Sequence, residues 1–368
     1  MRHPQSRHFL SSPAVFQQPV RGGCSWLKLQ SQWAVSISDN YVFNNHMRAS
    51  VLVPVKNGGA LWGEVLDAVL AQHTPWPFEV IVVDSGSKDD SVEQTRKRGV
   101  RVEQIAPAEF GHGRTRNHLA TLARGDFLVF ITQDARPADA HWLRNLVDGC
   151  DSAPEVAGAF GPHRAHPGAR LVTQRELQEH FAGFGPVLSR VRMEDQERFD
   201  REVGHRQFLH FFSNNNSCLR RSVWERLPFP DVMFAEDQTW MLAAIKAGYA
   251  KAYVPEAAVY HSHDFGVWET LQRNFDEASS FQRDFGYEIQ RSLWRALASA
   301  MLLARRDARW LHQAGLGGIS WLKHSVYMAA IELARTLGQF LGTRHRRLPG
   351  WLLGVISRDQ ALQRGRTA

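Results

Sequence analysis

Apolar runs alternate with amphipathic stretches through the first half of the chain. The apolar runs predict buried strands at 49–55, 78–84, 100–105, 126–132 and 156–162. The stretches between them have helical periodicity and predict helices at 61–72, 87–98, 113–123 and 138–150. Near-continuous apolar strands separated by helices are typical of a mostly parallel sheet with helices on both faces. The pattern therefore predicts an α/β fold.

The second half of the chain is less regular. Residues 163–208 are charged and predict a lid or an insertion. A strand is predicted at 213–219 and a helix at 237–247, whose inner face would carry Trp240, Met241, Ala244 and Ile245. After Val267 the chain is predicted to be helical to its end. One apolar stripe is expected to pack against the core, and it consists of Val326, Ala330, Leu333, Leu337 and Phe340.

The first 46 residues differ from the rest, because they are rich in Ser, Gln and Asn and lack sustained periodicity. We expect a disordered leader or an over-extended reading frame, with Met47 as the initiator. A secretory signal is disfavoured, because no basic start leads into an apolar core. The expected organisation is a leader (1–46), a main α/β domain (47–265) and a C-terminal helical region with a basic tail (266–368).

Charge and cysteine content narrow the class of protein. The composition is that of a globular protein, with 43% hydrophobic and 22% charged residues. Net charge is +7, and residues 343–368 hold six arginines against Asp359 alone. Such a tail could be merely solvated or could contact an anionic membrane, whereas nucleic acid is disfavoured because no aromatic-interleaved basic patch exists. Three widely spaced cysteines and the absence of a bilayer-spanning apolar run predict a cytoplasmic protein.

Polar residues follow several predicted strands, where open α/β sheets bind their ligands. Asp84 and Ser85 follow the second strand, and Asp84 could close an Asx turn or accept a hydrogen bond from a base or ribose. The chain contains neither a G-x-G-x-x-G fingerprint after the first strand nor a P-loop. These absences disfavour a dinucleotide-binding fold and a P-loop enzyme.

The segment FGHGRTRN at 110–117 opens a predicted helix. It contains His112, Arg114 and Asn117 between and after two glycines. Arginine is disfavoured at the positive end of a helix dipole, whereas backbone N–H groups at that end bind anions. The segment could be an ordinary basic helix start, but this conflict favours binding of an anion such as a diphosphate.

A metal site is predicted from Asp134, His261 and His263, and the neighbouring Gln133 is a candidate for substrate binding. Gln133 and Asp134 follow the most apolar strand, and His261 and His263 close a later one. Strand alternation places both imidazoles on one face. A carboxylate is a suitable ligand for Mg²⁺ or Mn²⁺, and either histidine could complete the coordination shell. The alternatives are a turn before Pro137 and structural histidines.

Glu236 and Asp237 start an amphipathic helix. Asp is a favoured N-cap, which contributes about 1 kcal/mol. The functional alternative is a general base at Asp237, whose pKa Glu236 could raise by like-charge repulsion.

Taken in order, VPVKNGG, VVDSGSKD, GRTRN, TQDARP, AEDQ and HSH resemble the motifs of family 2 glycosyltransferases with the GT-A fold, over about 49–285. TQDA, SNNNSCLRR and LGQFLGTRHRRLPGWL are closest to bacterial rhamnosyltransferases. The resemblance implies that Pro54, Val55 and Asp84 frame the nucleotide, that Arg114 and Asn117 lie near its diphosphate, that Asp134 binds metal and that Asp237 is the base. The family's Asp-x-Asp motif keeps one carboxylate here.

The resemblance further implies transfer of a sugar, with inversion, to a glycan or lipid-linked acceptor in the synthesis of an O-antigen-like surface polysaccharide. We expect dTDP-L-rhamnose as the donor, a divalent cation as the cofactor, and peripheral contact with the inner membrane. Residues 163–208 could form a lid or an acceptor-side insertion. The alternatives are a UDP-sugar donor and a non-catalytic subunit that binds a nucleotide sugar or a carbohydrate.

Overall fold

A computed structural model describes residues 46–232 and 234–358. The predictions for the leader and for the last ten residues of the basic tail lie outside this part of the chain. In chain order the strands are β1 (Ala49–Val55), β2 (Phe78–Asp84), β3 (Arg101–Gln104), β4 (Phe127–Ile131), β5 (Arg136–Pro137), β6 (Val156–Phe160), β7 (His163–Arg164), β8 (Ser189–Val191), β9 (Asn216–Arg220), β10 (Ala250–Tyr253) and β11 (Val259–Tyr260).

Helices occupy most of the chain between these strands and all of its C-terminal part. In chain order they are α1 (Gly59–Leu70), α2 (Ser91–Lys97), α3 (His112–Leu122), α4 (Trp142–Cys150), α5 (Leu171–Ala182), α6 (Gln196–Arg201), α7 (Val203–His210), α8 (Arg221–Trp224), α9 (Glu236–Lys246), α10 (Val267–Phe285), α11 (Leu293–Gln313), α12 (Gly318–Gly342) and α13 (Gly350–Ile356). Short 3₁₀ helices cover Pro107–Glu109 and His345–Arg347.

The large sheet has the strand order β3-β2-β1-β4-β9-β6-β10-β8. β3, β2, β1, β4, β6 and β10 run in one direction, whereas β9 and β8 run in the other. Alternate residues of β1 enter two separate cores: Val51 and Val53 pack on the side of α1 and α4, and Leu52 packs on the side of α3 and α9. The predicted α/β architecture, with a mostly parallel sheet covered on both faces, is confirmed.

A second, three-stranded sheet has the order β5-β11-β7. β5 pairs antiparallel with β11, and β7 pairs parallel with it. This small sheet draws together three points of the chain that are far apart in sequence, namely the ends of β4 and β6 and the segment after β10. The sequence pattern did not predict it.

Two predicted helix starts were wrong because turns occupy the residues before each helix. The helix expected at 87–98 begins at Ser91, since Ser87 N–H donates to Asp84 Oδ1 (3.0 Å) and Lys88 N–H donates to Asn57 Oδ1 (2.7 Å). The helix expected at 138–150 begins at Trp142, since residues 138–141 form a turn in which Ala138 N–H donates to the Ala258 carbonyl (3.0 Å) and His141 N–H donates to Asp139 Oδ1 (2.8 Å).

The predicted apolar stripe of the C-terminal region is not the buried face of its helix. Val326 is 62% exposed and Leu333 is 39% exposed. The residues of α12 that are buried instead include Met328, Ile331, Glu332, Ala334, Thr336, Gly338 and Gly342. α12 lies so close to α10 that a Cβ at Gly338 would collide with the carbonyl oxygen of Leu271. Small residues, rather than large apolar ones, therefore set this helix pairing.

Candidate active site

The small sheet brings together the three residues of the predicted metal site. Asp134 lies between β4 and β5, and His261 and His263 directly follow β11. His261 Nε2 is 3.5 Å from Asp134 Oδ1, and His263 Nε2 is 3.3 Å from Asp134 Oδ2. One potential ligand atom from each of the three residues lies within 4.8 Å of the other two. One carboxylate and two imidazoles suit a divalent transition metal such as Mn²⁺, so these residues fit a metal ion.

Electrostatics favour an ionised carboxylate in this cluster. Burial alone would raise the pKa of Asp134, but hydrogen bonds from His261 and His263 outweigh it and hold the pKa well below its ordinary value. A further histidine, His163 of β7, packs its ring 5.1 Å from that of His261. Burial, followed by the nearby charge of His261, holds the pKa of His163 well below its usual range, so its imidazole is neutral. His163 was not among the residues predicted from the sequence.

Glu236 and Asp237, at the start of α9, are adjacent carboxyl groups in different environments. Burial would raise the pKa of Glu236, but the Arg116 guanidinium 2.7 Å away outweighs it and lowers that pKa. Burial, together with the negative charge of Glu236, raises the pKa of Asp237 to about 7. Asp237 is therefore the member of the pair that exchanges a proton near neutral pH.

Backbone groups fix the Asp237 carboxyl in place. The N–H of Asn214 donates to Oδ2 (2.9 Å) and the N–H of Gln238 donates to Oδ1 (2.8 Å). The Asn214 side chain also donates to Glu236 (3.2 Å), so this residue of the quoted SNNN run supports both carboxyl groups. Ala235 precedes the helix with φ at 54°, in the left-handed region that costs about 1–2 kcal/mol for a residue with a Cβ. This turn directs the first residues of α9 toward the strand ends.

A cavity of about 1020 Å³, here called the first cavity, lies at the ends of β1, β2 and β4. Most of the predicted site residues line it, namely Pro54, Val55, Ser85, His112, Gln133, Asp134, Glu236 and Asp237. His261 and His263 line an adjoining cavity of about 770 Å³, here called the second cavity. The first cavity falls near the upper end of the roughly 300–1,000 Å³ typical of small-ligand sites.

Three predicted binding residues do not line either cavity. Asp84 closes the Asx turn, accepting from the N–H groups of Gly86 and Ser87 at 3.0 Å each. Asn117 joins α3 to a later segment, since it donates to the Phe229 carbonyl (2.9 Å) and accepts from its N–H (3.0 Å). Arg114 is largely exposed and lies 3.4 Å from Asp231. Arg114 was predicted to bind an anion because arginine is disfavoured at the positive end of a helix dipole. In the structure its side chain is exposed to solvent.

The predicted residue Gln133 holds two strand ends of the first cavity together, and further residues of the wall were not recognised from the sequence. Gln133 joins the ends of β1 and β4, because it accepts from Lys56 N–H (2.6 Å) and donates to the Lys56 carbonyl (3.1 Å). Phe234, Arg273 and Arg358 also form part of the wall. The two arginines come from the C-terminal region, where no local motif indicates a site.

The sheet order, a nucleotide-sized cavity at the strand ends and a metal-compatible cluster beside a protonatable carboxyl define a glycosyltransferase of the GT-A class. Residues 50–227 match the model of glycosyl transferase family 2. The chain is 36% identical to the O-antigen chain rhamnosyltransferase RfbN of Salmonella typhimurium, in a match covering 65% of this chain and 76% of the relative. The chain belongs to glycosyl transferase family 2.

Two further comparisons agree with this assignment. The O-antigen chain rhamnosyltransferase WbaN of Salmonella anatum is 32% identical, in a match covering 64% of this chain and 75% of the relative. Among solved structures, the mannosyltransferase PcManGT from Pyrobaculum calidifontis, in complex with GDP-Man and Mn²⁺, aligns with a TM-score of 0.51 and 17% identity. That alignment covers 81% of this chain and 86% of the mannosyltransferase, and it concerns the fold alone.

Proposed function

We propose that the enzyme transfers L-rhamnose from dTDP-L-rhamnose to a hydroxyl group of a glycan or lipid-linked acceptor, with inversion, in the synthesis of a surface polysaccharide. The main support is that Asp237, with a pKa of about 7, and Asp134 face the same cavity. A base for the acceptor hydroxyl and a carboxylate that could hold a cation against the donor's diphosphate therefore share one cavity. The choice of rhamnose and of an O-antigen-like product rests on the two Salmonella relatives.

In this proposal Asp237 accepts the proton of the acceptor hydroxyl while the hydroxyl oxygen attacks the anomeric carbon. The bond between that carbon and the diphosphate breaks on the opposite face, and the nucleoside diphosphate leaves. A general base is most effective when its pKa lies near the working pH, and about 7 meets that condition. The two backbone N–H groups hold the carboxylate in one orientation. Glu236 and Arg116 neutralise each other, so Glu236 acts by tuning and positioning Asp237 rather than by touching the substrate.

The donor would lie along the strand ends of the first cavity. Pro54, Val55 and Ser85 line the part nearest β1 and β2 and would frame the base and ribose. Arg273 and Arg358 add positive charge to the cavity wall and would face the diphosphate. Asp134, His261 and His263 would hold a divalent cation, which when bound supplies positive charge to the leaving diphosphate.

We also propose peripheral contact with an anionic membrane through α11, α12 and α13. Large apolar side chains are exposed on these helices, including Trp294 (81%), Ile319 (82%) and Trp351 (72%). Exposed basic residues on the same helices include Arg305, Arg309 and Lys323. Apolar and cationic groups together are typical of an interfacial surface. Among the helices that the structure describes, none is both long and apolar enough to cross a bilayer.

The test is release of nucleoside diphosphate by purified enzyme from dTDP-rhamnose, UDP-glucose, UDP-galactose, UDP-GlcNAc and GDP-mannose, with a lipid-linked acceptor extract. We expect turnover of dTDP-rhamnose that EDTA abolishes and Asp237→Asn reduces by roughly 100-fold or more, a loss within the range of general-base catalysis. Asp148→Asn, at an exposed aspartate of α4, is the matched control. Turnover of a UDP-sugar instead would replace the donor, and near-normal turnover by Asp237→Asn would refute the assignment of the base.

A further inference from the structure

We propose that the second cavity binds the acceptor as a neutral, hydroxyl-rich glycan, with Glu277 of α10 accepting hydrogen bonds from its hydroxyl groups. This inference rests on the proposed function, because it assigns the second substrate of the same reaction. The cavity lies between α5, α10, α12 and the segment after β11. Its volume of about 770 Å³ falls within the range typical of small-ligand sites, roughly 300–1,000 Å³.

The position of the second cavity fits an acceptor site. One end is formed by His261 and His263, the two histidines of the metal-compatible cluster. Phe234 and Arg273 line both cavities, so the two spaces meet beside the start of α9. A glycan bound in the second cavity therefore has its nearer end next to the reaction centre.

Glu277 has the properties of a ligand-binding carboxyl group. It is part of the cavity wall and remains partly accessible there. Within residues 46–232 and 234–358, its carboxyl group has no hydrogen bond or ion pair with another group of the protein. A carboxyl group left without partners in such a site is costly, and a sugar hydroxyl is a suitable donor to it.

Burial raises the pKa of Glu277, and the charges of Arg273 and Arg335 partly oppose that effect. Beneath it, Glu332 is fully buried, with Arg335 Nε 3.3 Å from one carboxylate oxygen. Arg335 also donates to Glu176 at 2.8 Å. Glu176 and Glu332 each have an ion pair with Arg335, although both oxygens of Glu332 are buried without a hydrogen bond in the described part of the chain. Among the glutamates of this wall, Glu277 is the one that has neither an ion pair nor a hydrogen bond with the residues that the structure describes and is also partly accessible.

The charge of the cavity wall indicates which ligand it takes. Four arginines are balanced by four glutamates, and these are Arg170, Arg273, Arg306, Arg335, Glu176, Glu179, Glu277 and Glu332. A strongly anionic or cationic ligand would meet repulsive charges along with attractive ones. A neutral sugar can donate hydroxyl hydrogens to carboxylates and accept from guanidinium groups, so it matches both sets.

The experiment measures glycoside binding directly, without turnover. dTDP is first titrated into full-length wild type and each variant in the presence of Mg²⁺. Methyl glycosides of rhamnose, mannose, galactose, glucose and N-acetylglucosamine are then titrated into the dTDP-loaded proteins by saturation-transfer NMR. We expect at least one glycoside to bind, and Glu277→Ala to weaken it by about tenfold while dTDP affinity changes by less than about twofold. Glu277→Gln should weaken binding less, because the amide keeps an acceptor oxygen.

The matched control is Glu288→Ala, which removes an exposed glutamate just beyond the same helix. Glycoside binding that is equal in wild type, Glu277→Ala and Glu288→Ala would overturn the inference, as would the absence of binding by any glycoside to the wild type. Loss of dTDP binding by the wild type would instead count against the proposed function. Because the two ligands are titrated separately, the two failures are distinguishable.

Discussion

At the scale of single residues, the site depends on how two neighbouring carboxyl groups are kept different. Arg116 pairs with Glu236 and keeps it ionised, and the resulting negative charge adds to burial in raising the pKa of Asp237. From the sequence, Asp237 could have been either a helix N-cap with no catalytic role or a general base. In the structure Ala235 is the N-cap and Asp237 is the second residue of α9. Its carboxyl group accepts from the N–H of Gln238 and from the N–H of Asn214, which lies in a different segment.

This arrangement predicts the pH dependence of the reaction. Asp237 must be deprotonated to accept a proton, so kcat/KM should rise with pH through about 7 and then level off. Glu236→Gln removes the negative charge that raises this pKa, and the midpoint of the rise should move to lower pH. An unchanged midpoint would show that Glu236 does not tune the base. The profile is measured from pH 5 to 9 with saturating acceptor.

Glu236→Gln leaves Arg116 buried without its charged partner, which costs about 3–5 kcal/mol in typical buried pairs. The double variant Arg116→Gln/Glu236→Gln avoids this loss and should shift the midpoint in the same direction by less. The same shift affects the stability of the wild type. Because the pKa of Asp237 is raised from 3.8 on folding, the contribution of this group to stability is fully present below that value and is lost as pH rises through about 7.

At the scale of elements, the small sheet assembles the candidate metal site from residues that are far apart in sequence. β5 and β7 have two residues each, too few to show a hydrophobic pattern, and the strand predicted before His261 did not indicate its pairing partners. The long strands and helices were predictable because burial on a sheet face or a helix face repeats with a fixed period. Asp134, His261 and His263 were recognised one by one, but His163 and the contact between strands depend on tertiary pairing.

The small sheet predicts a measurable metal site. His263→Ala should weaken Mn²⁺ binding in the presence of dTDP by roughly tenfold or more, because it removes one of three potential ligands. Calorimetry or electron paramagnetic resonance gives the affinity without any turnover. His324→Ala removes an exposed histidine of α12 and should leave it unchanged. Equal Mn²⁺ affinity in both variants and the wild type would exclude this cluster as the metal site.

The pairing of α10 with α12 predicts an effect on stability. Gly338→Ala places a methyl group against the Leu271 carbonyl and should lower the free energy of unfolding by about 1–3 kcal/mol. Gly204→Ala, in α7, meets no atom within 4 Å and should leave stability unchanged or slightly higher. Chemical denaturation of the two variants compares a close approach with an open position. Equal stability would mean that the helices can separate at little cost.

At the scale of the whole molecule, the sheet could be predicted from the sequence and the C-terminal region could not. The sheet follows a strong pattern of apolar strands, whereas α12 buries Gly338, Thr336 and Glu332 and exposes Val326. Its buried face was therefore chosen by close packing on α10 rather than by apolar content. Arg273 and Arg358 line the first cavity because of how the C-terminal helices pack, so their position in the site could not be predicted from the sequence either.

The exposed face of the C-terminal region predicts membrane binding. Ile319→Asp with Val326→Asp should reduce binding to vesicles containing phosphatidylglycerol, because both residues are exposed apolar positions of α12. Binding of the wild type should weaken as salt rises, since cationic side chains contribute. The matched variant Ser222→Asp adds a charge at an exposed position of α8. Vesicle sedimentation that is equal for all three proteins would contradict membrane contact through α12.

The shared wall of the two cavities has a thermodynamic consequence. Phe234 and Arg273 border both spaces, so any ligand that orders these side chains in one space changes the free energy of occupying the other. Such coupling is reciprocal: the factor by which the nucleotide changes glycan affinity equals the factor by which the glycan changes nucleotide affinity. If ordering by one ligand favours the other, each substrate binds more tightly when its partner is already present, whichever enters first. The same two side chains would then raise the fraction of bound donor that has an acceptor beside it.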